Sequence, residues 1–300
     1  MGTPEFAVPG LKILVEHDYQ VVGVVTAPDK PQGRGLRISQ TPVKEYAESV
    51  GLHILQPEKL KDPLFIEELK SLNADLQIVV AFRMLPEIVW DMPRLGTFNL
   101  HASLLPQYRG AAPINWAIIN GEKETGVTTF FLKHEIDTGD LILQEREPIF
   151  EDDTAGTLYD RLMLKGADLI IQTVQMIENK KVNSIPQENL EDVKHAPKIF
   201  KGDCLINWNN SAEDVRNFIR GMAPYPTAYT TINNLNCKLF NVSIVSDVKL
   251  SPGVLKTDQK NYIFVGTHTN AISIEILQLE GKKKMTVKEF LLGNKVYITE

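Results

Sequence analysis

The chain has 300 residues, 43% hydrophobic and 23% charged, with 32 Lys and Arg against 38 Asp and Glu for a net charge of −6. That supplies enough apolar side chain for one large or two ordinary cores, and the acidic balance excludes a protein that grips nucleic acid by bulk charge. No apolar run approaches the roughly 20 residues of a membrane span, so no membrane partner is expected. The chain does not open on a basic segment followed by an apolar stretch, and its two cysteines, Cys204 and Cys237, are too few for a disulfide framework. A cytoplasmic protein with reduced thiols is expected.

Residues 21–26 form a β-branched run that reads as the first strand. Thr41-Pro42 then opens a helix, with Pro at the first helical position, and Gly51 closes it. Residues 76–82 are almost continuously apolar, as expected of a strand buried on both faces. Strands follow at 97–100 and 127–132, with a helix between them that starts at Ala112-Pro113 and ends at Gly121. A long helix spans about 155–179, with Ile170, Val174 and Ile177 at core spacing. Strands alternating with helices indicate an α/β domain built on a doubly wound, mostly parallel sheet, which places ligands at the carboxyl ends of its strands.

Residues 183–203 lose periodicity and carry Pro186 and Pro197, as a linker does. Ser211-Ala212-Glu213-Asp214 is a helix-capping signature, and Val215, Phe218, Ile219 and Met222 make one apolar face of the helix it opens. After Pro224-Tyr225-Pro226 come short strand-like runs at 228–232, 238–244, 253–255, 262–265 and 271–277, with Asn233-Asn234 as a turn between the first two. Several short strands at this spacing predict a small β-barrel. The expected division is therefore a domain at 1–182, a linker at 183–203 and a second domain at 204–300. Charge follows it. Residues 204–300 hold 11 Lys and Arg against 8 Asp and Glu, a balance of +3, whereas the remainder holds 21 against 30, or −9.

Asn99 and His101 stand two apart where the strand read at 97–100 ends, so on extended backbone both side chains leave from one face near its carboxyl end. Ile136-Asp137-Thr138-Gly139-Asp140 can bring a carboxylate to the same place. An amide donor, an imidazole and a carboxylate suit acyl transfer: one stabilises developing oxyanion charge and the others move a proton. Singly, each has an ordinary alternative, since a strand-end Asn often caps a turn. His134 lies near Asp137, but no Cys or His spacing matches a metal site, so no metal is expected. Gly33 and Gly35 lack the third glycine of a dinucleotide fingerprint. Residues 30–44 contain Lys30, Arg34, Arg37 and Lys44 and no acidic side chain. This basic loop, like the run Lys282-Lys283-Lys284, is either a phosphate contact or a solvated surface.

The set Asn99-x-His101, Ser103-Leu104-Leu105-Pro106, Tyr108-Arg109-Gly110 and Asp137-Thr138-Gly139-Asp140 resembles the folate-dependent formyltransferases. The Gly2-Thr3-Pro4 start, the Arg34 loop and the second domain narrow the resemblance to the branch acting on charged initiator tRNA. The resemblance implies a Rossmann-like formyltransferase domain followed by an oligonucleotide-binding-type (OB-like) barrel. It implies Asn99, His101 and Asp137 as catalytic residues, and Ser103, Leu104, Leu105 and Pro106 as the lining of the folate site. For tRNA it implies the loop centred on Arg34, with Lys30 and Arg37, and Lys282, Lys283 and Lys284 as further contacts. The implied co-substrate is 10-formyltetrahydrofolate, the implied partner is initiator methionyl-tRNA, and a monomer is expected. Two alternatives stand beside this: formyl transfer to a small amine, either glycinamide ribonucleotide or an amino sugar, and a catalytically silent RNA-binding module. Two departures are visible. The family has an apolar strand ahead of Gly2, expected to be central in the sheet, and Arg83 follows Phe82 where the family has glycine beside the folate pocket.

Overall fold

The computed structural model of the chain describes residues 1–32, 37–187 and 192–296, with the side chains of residues 32, 37 and 38 left aside. It divides into two compact units. The first comprises Met1–Arg109, Gly126–Glu147 and Tyr159–His195, and the second Gly110–Thr125, Pro148–Leu158 and Ala196–Glu300.

In the first unit the elements in chain order are α1 (Val8–Glu16), β1 (Val24–Val25), β2 (Lys30–Gln32), β3 (Arg37–Ser39), α2 (Pro42–Ser49), β4 (Ile54–Leu55), α3 (Pro63–Ser71), β5 (Gln77–Val80), α4 (Glu87–Trp90), β6 (Thr97–His101), β7 (Glu124–Phe131), β8 (Leu141–Pro148) and the long helix α6 (Ala155–Glu178). Local chemistry sets the helix starts. The Thr41 hydroxyl accepts from the Lys44 amide ahead of Pro42, and the Asp62 carboxylate accepts from the Leu64 amide ahead of Pro63. β1 pairs with β4 in parallel, and β5 with β6 in parallel. β7 joins β6 antiparallel, and β8 follows at the edge, so the expected parallel character ends at β6. β6 is thus central in its sheet, with all its residues buried except half-exposed Asn99. α6 presses on it so closely that a Cβ at Gly166 would lie 2.6 Å from a Leu100 methyl. Val25, Leu55, Phe65, Leu69, Val79 and Val89 form one buried cluster beside the sheet.

Met1 and Gly2 lie between β1 and β5. Gly2 donates to the Val25 carbonyl at 3.0 Å and forms a parallel bridge with Val80, whose amide donates to the Met1 carbonyl at 2.9 Å. A cavity of about 810 Å³ adjoins them, walled by Leu14, Val22, Leu72 and Ile170 among others.

In the second unit α5 (Pro113–Ile119) packs on α7 (Ala212–Met222). Contact is close because a Cβ at Gly221 would lie 2.6 Å from Ile119 Cγ1. Ser211 caps α7 by accepting from the Asp214 amide. Six strands form one antiparallel sheet in the order β9 (Tyr229–Ile232), β10 (Leu235–Val245), β13 (Ala271–Leu279), β12 (Ile263–Gly266) and β11 (Leu255–Thr257), with β14 (Met285–Thr286) also on β13. Asn233 and Asn234, both at positive φ, make the two-residue turn from β9 to β10. The sheet is a curled half-barrel around Ile219, Met222, Leu239, Ile274 and Leu277. Helix α8 (Val287–Gly293) follows, its first turn closed by reciprocal Thr286 and Glu289 bonds. Among the described residues no helix is long and apolar enough to cross a membrane.

Candidate functional site

β6 presents Asn99 and His101 from one face. Register places Asn99 between Val79 of β5 and Phe130 of β7, and His101 opposite Thr128. His101 is buried, and its Nε2 lies 2.9 Å from the carbonyl oxygen of Tyr108. A carbonyl only accepts, so Nε2 carries the hydrogen and Nδ1 is the position at which the ring exchanges a proton. That Nδ1 lies 3.8 Å from Asp137 Oδ2. The amide, the imidazole and the carboxylate expected from sequence therefore belong to one unit, with His101 and Asp137 face to face.

Asp137 reaches this position from the turn joining β7 to β8. Its φ of 56° is left-handed, a conformation Asp tolerates better than most residues. Two residues on, Gly139 passes under the Phe131 backbone so tightly that a Cβ there would sit 1.5 Å from the Phe131 carbonyl oxygen. Lys133 closes the turn with an ion pair to Asp140 at 2.7 Å. His134 points elsewhere, 3.3 Å from Glu87 and edge-on to Trp90. Among the described residues no group of three or more His, Cys, Asp or Glu stands together as metal ligands would.

The segment from Ser103 to Pro106 leaves β6 and is held by Thr128. The Thr128 hydroxyl donates to the Ser103 carbonyl at 2.6 Å and accepts from the Leu105 amide at 3.2 Å and from Gln144 Nε2 at 3.0 Å. Gln144 also donates to the Leu105 carbonyl at 2.8 Å, and the Ser103 hydroxyl donates to the Gln107 carbonyl at 2.6 Å. Ser103 and Leu105 are buried, whereas Leu104 and Pro106 are half-exposed. The outcome is a stiff loop beside His101 that shows apolar surface and a short length of backbone. Such a surface fits a flat heteroaromatic ring with hydrogen-bonding edges.

The basic residues fall in different settings. Lys30 is exposed on the β2–β3 hairpin, Arg37 begins β3, and Arg34 lies outside the described residues. Lys44 is committed: its Nζ is 2.6 Å from Asp29 Oδ2, which with Gln56 holds the Asp29 carboxyl below its usual range. Acid just outside the 30–44 window thus neutralises its last cation. Lys282, Lys283 and Lys284 are exposed in the turn from β13 to β14, with Lys284 Nζ 4.4 Å from the Phe240 ring centre. Arg83 folds away onto the backbone, donating from Nη1 to the Glu58 carbonyl at 2.8 Å and from Nη2 to that of Pro57.

Sequence reasoning missed Gln187, Gln144 and Thr128. Each acts by bonding backbone distant in sequence, which leaves no periodic or motif trace.

A formyl transferase family model matches residues 4–174, and the model for the formyl transferase C-terminal domain matches residues 198–295. The chain is 56% identical over 304 residues to a methionyl-tRNA formyltransferase of Phocaeicola vulgatus, covering 98% of this chain and 94% of the relative. It is 54% identical over 302 residues to one of Bacteroides fragilis strain ATCC 25285, covering 98% and 93%. In fold it is similar to WlaRD, a sugar 3N-formyl transferase solved with dTDP and 5-N-formyl-THF, at TM-score 0.68 and 21% identity over 94% of this chain and 97% of that one. A similar likeness holds to HypX of Aquifex aeolicus solved with tetrahydrofolic acid, at TM-score 0.60 and 21% identity over 82% of this chain and 43% of that one. The chain belongs to the formyl transferase family and, within it, to the methionyl-tRNA formyltransferases.

Proposed function

We propose that this enzyme moves the formyl group of 10-formyltetrahydrofolate to the free amino group of initiator methionyl-tRNA, in the cytoplasm and as a monomer. The observation that carries the chemistry is the 3.8 Å approach of Asp137 Oδ2 to His101 Nδ1, on the strand face that also bears Asn99 and beside the stiff Ser103–Pro106 loop. The donor brings an activated formyl carbon, and the remaining work falls to the chain. Asn99 donates its side-chain N–H to the formyl oxygen as negative charge develops, an interaction worth about 10²- to 10³-fold in rate. The amine attacks as a neutral base, and its nitrogen then carries one proton too many. Asp137 accepts that proton, with His101 Nδ1 next in line. The bond between the formyl carbon and the folate nitrogen breaks, and that nitrogen takes up a proton. One proton leaves the amine and one arrives at the leaving nitrogen, so the His101–Asp137 pair holds a proton only in transit.

Ser103, Leu104, Leu105 and Pro106 hold the pterin end of the donor in this reading. Residues 1–182 carry catalysis, 183–203 connect, and 204–300 help bind tRNA through Lys282, Lys283 and Lys284, while Lys30, Arg34 and Arg37 hold the acceptor arm. A labelled formyl-transfer assay tests it by offering methionyl-tRNA, glycinamide ribonucleotide and an amino sugar in turn. Transfer to methionyl-tRNA at least about 10²-fold faster than to either small amine supports the reading. Preference for a small amine replaces it with the alternative, and no transfer at all removes the catalytic reading.

A further inference from the structure

Gln187 lies in the stretch after α6 that the sequence presents as linker, and its amide is fully used. Oε1 accepts from Arg109 Nε at 3.1 Å and from Arg109 Nη2 at 2.6 Å. Nε2 donates to the Asp137 carbonyl at 2.8 Å and to the Gly139 carbonyl at 2.8 Å. Only this orientation of the amide gives all four contacts a donor and an acceptor, so Arg109 fixes which way Gln187 faces. All four residues belong to the first unit.

The turn they hold is one that needs holding. Asp137 sits at a left-handed φ of 56°, a cost of about 1 kcal/mol or more for a residue with a side chain. Gly139 is wedged under Phe131. Between these two points the Asp137 side chain must face His101 Nδ1, and small rotations of the turn would carry it away. A pair of donors gripping the carbonyls on either side of Thr138 removes that freedom. The strand register does not do this, because the turn lies beyond the paired residues of β7.

We propose that Gln187 is a positioning residue for the catalytic carboxylate: held by Arg109, it fixes the Asp137–Gly139 turn and so the distance between Asp137 and His101. The proposal rests on the catalytic reading of Asp137 given above. Gln187→Glu separates the two halves of the amide, keeping the acceptor for Arg109 while placing a second acceptor against the carbonyls of Asp137 and Gly139. Gln187→Ala removes both halves.

Both variants are expected to lose about 10-fold or more in kcat, with KM for folate and for methionyl-tRNA within about twofold and thermal stability near that of the unaltered protein. In the Asp137→Asn background the same changes are expected to cost almost nothing further, because residues acting through one another are not additive. A second readout is free of turnover: the side-chain ¹⁵N resonances of His101, assigned by their loss in His101→Asn, followed across a pH series. Both Gln187 variants are expected to alter the His101 titration. If that titration is unchanged in both, the positioning role is wrong, whatever the acceptor substrate proves to be. If Gln187→Ala costs as much in Asp137→Asn as in the parent, Gln187 does not act through Asp137, and the proposal fails. A normal rate for Asp137→Asn alone, with the His101 titration still responding to Gln187, overturns the catalytic reading of Asp137 and leaves Gln187 only as an anchor of the turn.

Discussion

His101 donates from Nε2 to the carbonyl oxygen of Tyr108 at 2.9 Å, and this bond decides which edge of the ring faces Asp137. Tyr108 is itself fixed. It sits at a φ of 61°, and its amide donates to the Lys194 carbonyl at 2.6 Å. The His101 imidazole is therefore oriented by backbone that is held in turn by a segment 86 residues downstream.

Asn99→Ala and Asp137→Asn are each expected to lower turnover by about 10²-fold or more, as the loss of an oxyanion donor or a proton acceptor should. Circular dichroism and melting should stay near the parent, because Asn99 is half-exposed and Asn at position 137 keeps the left-handed turn accessible. Single-turnover rates at saturating substrates make the check. A rate within a few-fold of the parent removes that residue from the mechanism.

Much of this was legible in the sequence, and the reason is locality. The caps at Thr41-Pro42 and Ser211, the Asn233-Asn234 turn and the same-face placement of Asn99 and His101 all follow from residues within a few positions of one another. The second-unit strands were visible for the same reason, through alternation and turn residues. The edge strand β8 escapes the sequence reading because Leu141–Pro148 has Gln144 and Arg146 at exposed positions, with Glu145 half-buried and Glu147 buried, and so loses the apolar signature. The β2–β3 hairpin reads as loop because Pro31, Gly33, Gly35 and Pro42 punctuate the segment and Ile38 is the single β-branched residue in its two short strands. Gln187 was read as linker because its partners lie 48 to 78 residues away, and glutamine has no spacing rule. The Lys44–Asp29 pair escaped because the acid stands one residue outside the basic window.

Thr128→Val is expected to destabilise the protein by about 2–6 kcal/mol and to raise KM for the folate more than KM for methionyl-tRNA. The single hydroxyl uses its one hydrogen on Ser103 and accepts from both Leu105 and Gln144. Valine fills the space but leaves a buried carbonyl and a buried amide without a partner, at about 1–3 kcal/mol each. Denaturant melts and a folate titration of initial rates measure both effects. Equal rises in the two KM values would mean that the Ser103–Pro106 loop is not where the folate sits.

Both thiols are expected to be silent in the folded protein. Cys237 is fully buried, which pushes its thiol up to about 12, and Cys204 is raised by burial and by neighbouring Asp203. At pH 8 neither supplies thiolate to a reagent. A colorimetric thiol titration should count none on the native protein and two after denaturation. Fast reaction of one thiol in the native state would show that its core opens far more readily than its packing implies.

The basic positions should separate by salt dependence. Lys282 and Lys283 are exposed, with the Lys283 charge near Glu289, while Lys284 rests on the Phe240 ring. If each contacts a tRNA phosphate, each Lys→Ala change should flatten the log–log slope of tRNA affinity against salt by about one unit. Lys284→Ala should also lose the ring contact, so Lys284→Arg, which keeps both charge and stacking, should restore binding where Lys282→Arg merely matches its parent. Turnover at saturating tRNA should be unchanged in all of these, since the reaction proposed gives none of them a part at the attacking amine or the formyl carbon. Arg34→Ala should differ. If the loop centred on Arg34 holds the acceptor end as proposed, its cation also places the amine, so turnover should fall beyond the loss of affinity. Steady-state kinetics across a salt series give both quantities for every variant. An Arg34→Ala enzyme with unaltered tRNA kinetics would return that loop to ordinary solvated surface, and acceptor choice would then have to be sought in the second unit.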